Sequence, residues 1–124
     1  MNTPVTEHDK VVSAIRDGNA SRYKVLTNLE KYEHYISQLF PDLILLDRET
    51  DKPVFIIEVK RNGNIAQCIQ QWKNVPSIPA TLYILVPESD LANAKSIAEV
   101  VGLKTKFGTY YIDENGNNIR VKYE

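Results

Sequence analysis

The stretch FPDLILLDRETDKPVFIIEVK, residues 40–60, predicts two short strands joined by a polar turn. We predict the first strand over 42–47, the turn over 48–53 and the second strand over 54–59. The Val-Phe-Ile-Ile run favours burial on both faces, so the second strand is expected inside the sheet. Glu58 and Lys60 are unusual there, because charged side chains are rarely buried without a partner. They either pair at an edge or do chemistry.

The alternation of side chains along the two strands predicts that a second carboxylate, that of Asp42, lies beside Glu58. If the turn pairs Asp47 with Pro53, residues whose numbers add to 100 lie opposite each other, and Asp42 stands beside Glu58. Such neighbours have Cβ atoms ~5 Å apart. Two carboxylates that close repel each other unless one is protonated or a cation lies between them. Mg²⁺ meets this need, since it takes oxygen ligands and often uses one or two carboxylates with a substrate phosphate.

Two further groups complete a candidate hydrolytic site. The backbone carbonyl of Val59 is a candidate oxygen ligand. Lys60 lies on the same strand face as Glu58 and is a candidate to orient water or to stabilise charge on a phosphate. Together with a divalent cation, these parts suffice in principle to hydrolyse a phosphodiester.

Hydrophobic spacing, caps and breakers predict the remaining elements. They are a helix capped by Thr3 or Thr6 that ends near Asp17, a strand over 23–29, a helix over 65–73, a strand over 81–86, a helix from Ser89 or Asp90 to Val101, and a closing hairpin of 107–112 and 118–123. Residues 30–39 fit a short helix, a continuing strand or a loop. The order predicts a mixed α/β sheet with helices on both sides, and a parallel connection from 54–59 to 81–86.

Composition is ordinary for a globular protein. The chain has 124 residues, 43% hydrophobic and 25% charged, so we expect one domain over 1–124. No apolar run approaches the ~20 residues of a membrane helix, and residues 1–10 lack the apolar core of a secretory signal. A single cysteine, Cys68, excludes an internal disulfide. These features predict a cytoplasmic protein with no membrane contact.

The motif residues resemble a known signature. Pro41-Asp42, fifteen intervening residues and Glu58-Val59-Lys60 are similar to the pattern of the PD-(D/E)xK nuclease superfamily. That group includes type II restriction endonucleases, archaeal Holliday junction resolvases and nuclease domains of RecB type. Its core is α-β-β-β-α-β, with proline-aspartate opening the second strand and E-x-K closing the third. The resemblance covers about two-thirds of the chain and implies a restriction-endonuclease-like fold with an added C-terminal helix and hairpin.

The resemblance also implies residue roles. Asp42 and Glu58 would be metal ligands, and Lys60 would be the catalytic lysine. Many members add a glutamate from the first helix, for which Glu7 is the natural candidate and Glu33 the weaker one. Some relatives carry a functional glutamine on the helix after E-x-K, and Gln67 stands there. The Gln-x-x-x-Tyr spacing of the RecB-type branch is absent, because Gln67 is followed four residues later by Gln71.

Three other residue types have simpler interpretations. Trp72 is predicted in the core or at a helix end, and Cys68 as a small buried residue. His8 and His34 are too far apart in sequence, and too lacking in cysteine or histidine neighbours, to indicate zinc.

The functional prediction is a Mg²⁺-dependent DNA endonuclease in which Mn²⁺ can replace Mg²⁺. A net charge of −1 leaves any DNA surface to local clustering, so a homodimer or a larger complex is expected to supply affinity. Three alternatives stay open: a non-catalytic module of the same fold that binds nucleic acid or protein, an RNA nuclease, and an unrelated protein with an accidental motif.

Overall fold

The computed structural model describes residues 6–29 and 31–124. Within these ranges the chain forms three α-helices and six strands. Their order is α1 (Glu7–Asn19), β1 (Lys24–Thr27), β2 (Leu43–Leu46), β3 (Pro53–Val59), α2 (Ile65–Lys73), β4 (Thr81–Pro87), α3 (Leu91–Val101), β5 (Lys106–Ile112) and β6 (Ile119–Tyr123). Short 3₁₀ turns over Asn62–Asn64 and Glu88–Asp90 precede α2 and α3. The predicted α/β class is confirmed.

One mixed sheet joins all six strands in the order of the chain. The β3–β4 and β4–β5 pairs are parallel, and the other three pairs are antiparallel. Strands β3 and β4 therefore lie inside the sheet, where their apolar sequences are buried on both faces. The interior position of β3 and its parallel connection to β4 are both as predicted.

Two apolar cores cover the two faces of the sheet. Helix α1 packs Val11, Val12 and Ile15 against one face, which carries Ile57 and Val59 of β3. Helices α2 and α3 pack on the other face, where β3 contributes Ile56. Because successive side chains alternate, Glu58 belongs to the α2 face. Helices on both sides confirm the predicted layers, and no helix within 6–29 and 31–124 is long and apolar enough to cross a bilayer.

The pairing of β2 with β3 follows the predicted register. Three partner pairs have numbers that add to 100: Leu43 with Ile57, Ile44 with Ile56, and Leu45 with Phe55. The register shifts after Leu45, so that Leu46 rather than Asp47 pairs with Pro53. The turn assumed from the sequence was therefore wrong by one residue. The irregularity is confined to the turn end, and the strand end near Asp42 keeps the predicted register.

Helix α1 is longer than predicted. The Thr6 hydroxyl accepts a hydrogen bond from the Asp9 amide at 3.1 Å and caps the helix, whereas Thr3 lies outside the described residues. The helix continues through Gly18 to Asn19, two residues beyond the predicted end near Asp17. The Asn19 side chain donates to the carbonyl of Ile15 at 2.7 Å, which satisfies one carbonyl of the last turn.

The ambiguous segment forms a loop where it is described, over residues 31–39. Ile36 and Leu39 exchange two backbone hydrogen bonds of 2.9 Å each. Ser37 and Gln38 between them have φ values of 52° and 69°. Positive φ at both central residues is typical of a type I′ turn. The helical alternative for this segment is therefore excluded over 31–39.

A buried asparagine fixes this loop to the sheet. Asn28, only 7% exposed, donates through Nδ2 to the carbonyls of His34 (2.6 Å) and Pro41 (2.7 Å). Its Oδ1 accepts from the amides of Glu33 (3.1 Å) and His34 (2.9 Å). The amide thereby uses its full hydrogen-bonding capacity. Strand β1 consequently ends at Thr27 rather than at Leu29, and loop 31–41 is held beside Asp42.

Candidate active site

Three predicted residues converge where β2 begins and β3 ends. The Asp42 amide donates to Glu58 Oε1 at 2.9 Å, and the Val59 amide donates to Asp42 Oδ2 at 2.8 Å. Lys60 Nζ lies 3.4 Å from Asp42 Oδ2 and 4.0 Å from Glu58 Oε1. One ammonium therefore bridges two carboxylates that the strand register brings together.

Asp42 takes a further partner from α1. Its Oδ1 lies 2.9 Å from His8 Nε2, and His8 Nδ1 lies 3.0 Å from Asp9 Oδ1. Ionised carboxylates only accept hydrogen bonds, so both ring nitrogens must donate and His8 must be protonated in this arrangement. The hydrogen bond to Asp42 is the main reason that the pKa of His8 is raised.

The pKa of Asp42 is lowered. Burial acts to raise it, but the hydrogen bond from His8 and the charge of Lys60 outweigh that effect. The side chain is 12% exposed and accepts donors at both oxygens. Asp42 is therefore a stable carboxylate at neutral pH.

Glu58 has a different environment on the α2 face. Its side chain is 6% exposed, and its Oε2 accepts from Trp72 Nε1 at 2.9 Å and from Cys68 Sγ at 3.7 Å. Burial, and then the nearby charge of Asp42, raise the pKa of Glu58. Trp72 and Cys68 are buried, as predicted. The sequence did not predict that both contact the carboxylate.

Lys60 stays charged between the two acids. Burial acts to lower its pKa, but Glu58 and Asp42 outweigh burial and raise it. The chain around Lys60 is fixed, because its amide donates to the carbonyl of Leu85 at 2.9 Å. The ammonium is therefore a cationic donor at neutral pH rather than a proton acceptor.

Two cavities meet at Lys60. The larger, about 610 Å³, is lined by Asp42 and Val59 together with Thr6, Glu7, His8, Tyr32, Arg61, Asn64 and Tyr110. The smaller, about 350 Å³, is lined by Glu58 together with Tyr32, Gln38, Leu39, Phe40, Asn64, Gln67, Cys68 and Gln71. Lys60, Asn64 and Tyr32 line both cavities. Each carboxylate thus faces its own cavity, and the lysine faces both.

The remaining predicted residues lie at different distances from this centre. Glu7 lines the larger cavity, but its carboxylate pairs with Arg61 at 3.6 Å, and both side chains are exposed. Gln67 lines the smaller cavity with Glu58. Glu33 lines neither cavity, and its Oε1 lies 3.7 Å from the adjacent His34.

The donor set is chemically suited to a hard cation such as Mg²⁺. Within the described ranges, no three His, Cys, Asp or Glu side chains are grouped as a metal site. Mg²⁺ does not require such a group, because it commonly uses one or two carboxylates with substrate and water oxygens. An ionised carboxylate offers about four lone-pair sites, and the donors around Asp42 and Glu58 do not occupy all of them. Asp42, Glu58 and the Val59 carbonyl therefore fit the role of ligands.

His8 is a site residue that sequence reasoning missed, in addition to the contacts of Trp72 and Cys68 with Glu58. It was considered only as a zinc ligand, although it follows Glu7 in the first turn of a helix expected beside the sheet. The first turn carries both side chains, and the histidine rather than the glutamate contacts Asp42. The position of His8 directly after Glu7, in the helix turn already expected at the site, was the signal that could have identified it.

Comparisons with protein-family models, curated proteins and solved structures found no match for this chain. Function has therefore to be inferred from the site itself. The site combines two carboxylates of contrasting acidity, a charged lysine between them and an imidazole behind Asp42. Such a set can bind a cation and orient a phosphate.

Proposed function

We propose that this protein is a Mg²⁺-dependent endonuclease of restriction-endonuclease-like fold that hydrolyses DNA phosphodiester bonds, with Mn²⁺ able to replace Mg²⁺. The observation that carries the proposal is the convergence of Asp42, Glu58 and Lys60 at the ends of adjacent strands. The order α1-β1-β2-β3-α2-β4 supports the fold assignment. Pro41-Asp42 directly precedes β2, and Glu58 lies one residue before the end of β3.

Each residue of the site has a role in this chemistry. Asp42 and Glu58 hold the cation, with the Val59 carbonyl as a further ligand. When bound, a divalent cation supplies Lewis-acid stabilisation of the charge that develops on the phosphodiester. Lys60 orients the attacking water or donates to a phosphate oxygen, in keeping with its persistent charge.

His8, Glu7 and Gln67 have supporting roles. His8 is a positioning residue, because its hydrogen bond to Oδ1 holds the Asp42 carboxylate with Oδ2 toward Lys60. Glu7 would contribute as a ligand only by leaving Arg61, at the rim of the larger cavity. Gln67 lines the Glu58 cavity and is assigned to substrate contact there.

Affinity for DNA has to come from a local surface or from assembly. The net charge of −1 provides no long-range attraction to phosphates. We therefore propose that the protein acts as a homodimer or within a larger complex, in which a second chain supplies affinity. A cytoplasmic location belongs to the same proposal.

The proposal is tested by incubating the protein with linear, supercoiled, branched and single-stranded DNA, and with RNA, in Mg²⁺, Mn²⁺ or EDTA. We expect metal-dependent cleavage that falls by at least about 100-fold in both Lys60→Ala and Glu58→Gln. Lys104→Ala, which removes an exposed lysine that lines neither cavity, serves as the matched control and should cut normally. Circular dichroism establishes that each variant is folded.

Two results would overturn the nuclease proposal. One is a folded wild type that cuts no substrate in either metal. The other is a Lys60→Ala variant that cuts as well as the wild type. Preferential cleavage of RNA would replace DNA as the substrate and keep the chemistry.

A specific observation favours a second candidate, a non-catalytic module that binds nucleic acid or protein. All four oxygens of Asp42 and Glu58 accept hydrogen bonds, and Lys60 offsets charge, so the site is satisfied without a metal. A thermal-denaturation titration separates the two candidates. The nuclease predicts that Mn²⁺ raises the Tm of the wild type but not that of Glu58→Gln, since a ligand stabilises the state it binds. The module predicts no metal-dependent shift in either protein.

A further inference from the structure

Three large aromatic side chains are exposed together beside the site. Tyr32, Tyr35 and Phe40 are 75%, 67% and 43% exposed. The rings of Tyr32 and Phe40 are stacked, with centroids 5.5 Å apart and planes inclined by 20°. Tyr35 meets Phe40 edge-on at 6.0 Å. Single exposed apolar residues are common, but a contiguous aromatic group in solvent indicates a binding surface.

This aromatic cluster is continuous with the proposed active site. Tyr32 lines both cavities that meet at Lys60, and Phe40 lines the smaller one with Glu58. Phe40 also lies only two residues before Asp42 in the chain. A group stacked on these rings therefore lies next to the lysine that would face a phosphate.

Carboxamides form much of the rest of the smaller cavity. Gln38, Asn64, Gln67 and Gln71 line it together with the aromatic residues. Each carboxamide carries both a donor and an acceptor, the combination that reads the edge of a nucleobase. The volume of about 350 Å³ lies at the lower end of the ~300–1,000 Å³ range of small-molecule sites.

We propose that the smaller cavity receives an unpaired nucleobase, which extends the stack of the Tyr32–Phe40 pair, while the adjoining phosphate lies toward Lys60. This inference rests on the proposed function and specifies its substrate class as single-stranded or locally unpaired nucleic acid. A paired base inside a duplex is stacked on its neighbours and has to be extruded before it can enter such a cavity.

The lining favours a nucleobase over an apolar peptide. An amphipathic helix binds in a hydrophobic groove, whereas the lining of this cavity includes four carboxamides and a lysine. Aromatic stacking, edge hydrogen bonds and a cation for phosphate are the three features of single-strand recognition.

The test measures fluorescence anisotropy of a labelled single strand of about 12 nucleotides and of the matching duplex, in EDTA. We expect the wild type to bind the single strand more tightly. Tyr32→Ala and Phe40→Ala should each weaken single-strand binding by about 5- to 150-fold, which corresponds to the loss of one stacked base, and leave duplex binding unchanged. Tyr111→Ala is the matched control, since Tyr111 is a 58% exposed tyrosine of β5 that lines neither cavity.

Any other outcome contradicts the proposal that the smaller cavity binds an unpaired nucleobase. Absent single-strand binding, preference for duplex, or equal losses in Tyr32→Ala and Tyr111→Ala would overturn it. The assay contains no metal, so its result does not depend on cleavage. Tight single-strand binding without nuclease activity would support base binding in the smaller cavity and contradict the nuclease proposal. Duplex cleavage that is unaffected by Tyr32→Ala would support the nuclease proposal and contradict base binding.

Discussion

Asp42 and Glu58 face each other across two strands, yet they lie in opposite environments. Asp42 is held by a histidine of α1 and opens to the larger cavity, and its pKa is lowered. Glu58 is held by a tryptophan of α2 and is nearly enclosed, and its pKa is raised. Both accept a hydrogen bond from the backbone of the other strand end. The two helix layers, rather than the strands, therefore make the paired carboxylates unequal.

This inequality assigns different tasks to the two acids. Asp42 is anionic over the whole neutral range and provides permanent attraction for a cation. Burial and the charge of Asp42 raise the pKa of Glu58, whereas the charge of Lys60 and the hydrogen bond from Trp72 act to lower it.

The largest expected effect on stability comes from removing Trp72, the residue that holds Glu58. Trp72→Ala removes a fully buried indole as well as the donor to Glu58, and should lower the free energy of unfolding by about 3–5 kcal/mol. Trp72→Phe keeps most of the volume and loses the donor, which should cost about 1–3 kcal/mol. Urea denaturation measures both, and equal losses in the two variants would contradict this division.

The next effect removes the charge that both acids share. Lys60→Met should lower the free energy of unfolding by about 2 kcal/mol at neutral pH, less than for a fully buried pair because Lys60 is 24% exposed. When Lys60→Met is introduced into the Glu58→Gln variant, the loss in the free energy of unfolding should be smaller. The reason is that Glu58, the more buried of the two acids, has already been replaced by a neutral side chain. A double-mutant cycle measures this coupling, and strict additivity would argue that Lys60 and Glu58 do not interact.

The pH dependence of stability sharpens the contrast between the acids. Raising the folded pKa of Glu58 above 4.5 makes its contribution fully present at low pH and lost as pH rises through the folded pKa. Lowering the folded pKa of Asp42 below 3.8 makes its contribution present above that value and lost as pH falls. From acid to neutral pH, Glu58→Gln should therefore gain stability relative to the wild type, and Asp42→Asn should lose it. Parallel profiles for the two variants would refute the assignment.

The smallest effect concerns the histidine behind Asp42. Removal of that carboxylate by Asp42→Asn should lower the pKa of His8 toward 6.5, since the hydrogen bond to Asp42 is the main cause of the raised value. Asp9→Asn should lower it less, because that hydrogen bond is a weaker cause. Imidazole proton shifts followed by NMR measure both changes. A larger shift in Asp9→Asn would reverse the order of the two partners.

The register of β2 against β3 could be predicted from the sequence because two local rules determine it. Alternation and the length of the polar turn fix which residues oppose each other, and the misplaced turn pair did not matter because the shift occurs after Leu45. Contacts from the helices were beyond those rules. Whether His8 or Glu7 reaches Asp42 depends on how α1 is rotated on the sheet, which the apolar stripe defines only coarsely.

Loop 31–41 escaped prediction for another reason. Its turn uses positive φ at Ser37 and Gln38, which are not the Asn-Gly or Asp-Gly residues typical of type I′ turns. The conformation is instead supported by Asn28, an interaction between side chain and backbone that leaves no periodic pattern in the sequence.

Because loop 31–41 is held by the side chain of Asn28, the aromatic cluster and the charged residues of the site belong to separate parts of the protein. The aromatic cluster is carried on a segment anchored by Asn28, whereas Glu58 lies in β3 inside the sheet and Lys60 directly follows that strand. Replacement of residues 31–40 by a loop of different chemistry should leave β2 and β3 in place, provided that the new loop supplies hydrogen-bond partners for the Asn28 side chain. Exchange of this one loop would then change the exposed aromatic surface, while the grouping of Asp42, Glu58 and Lys60 is retained.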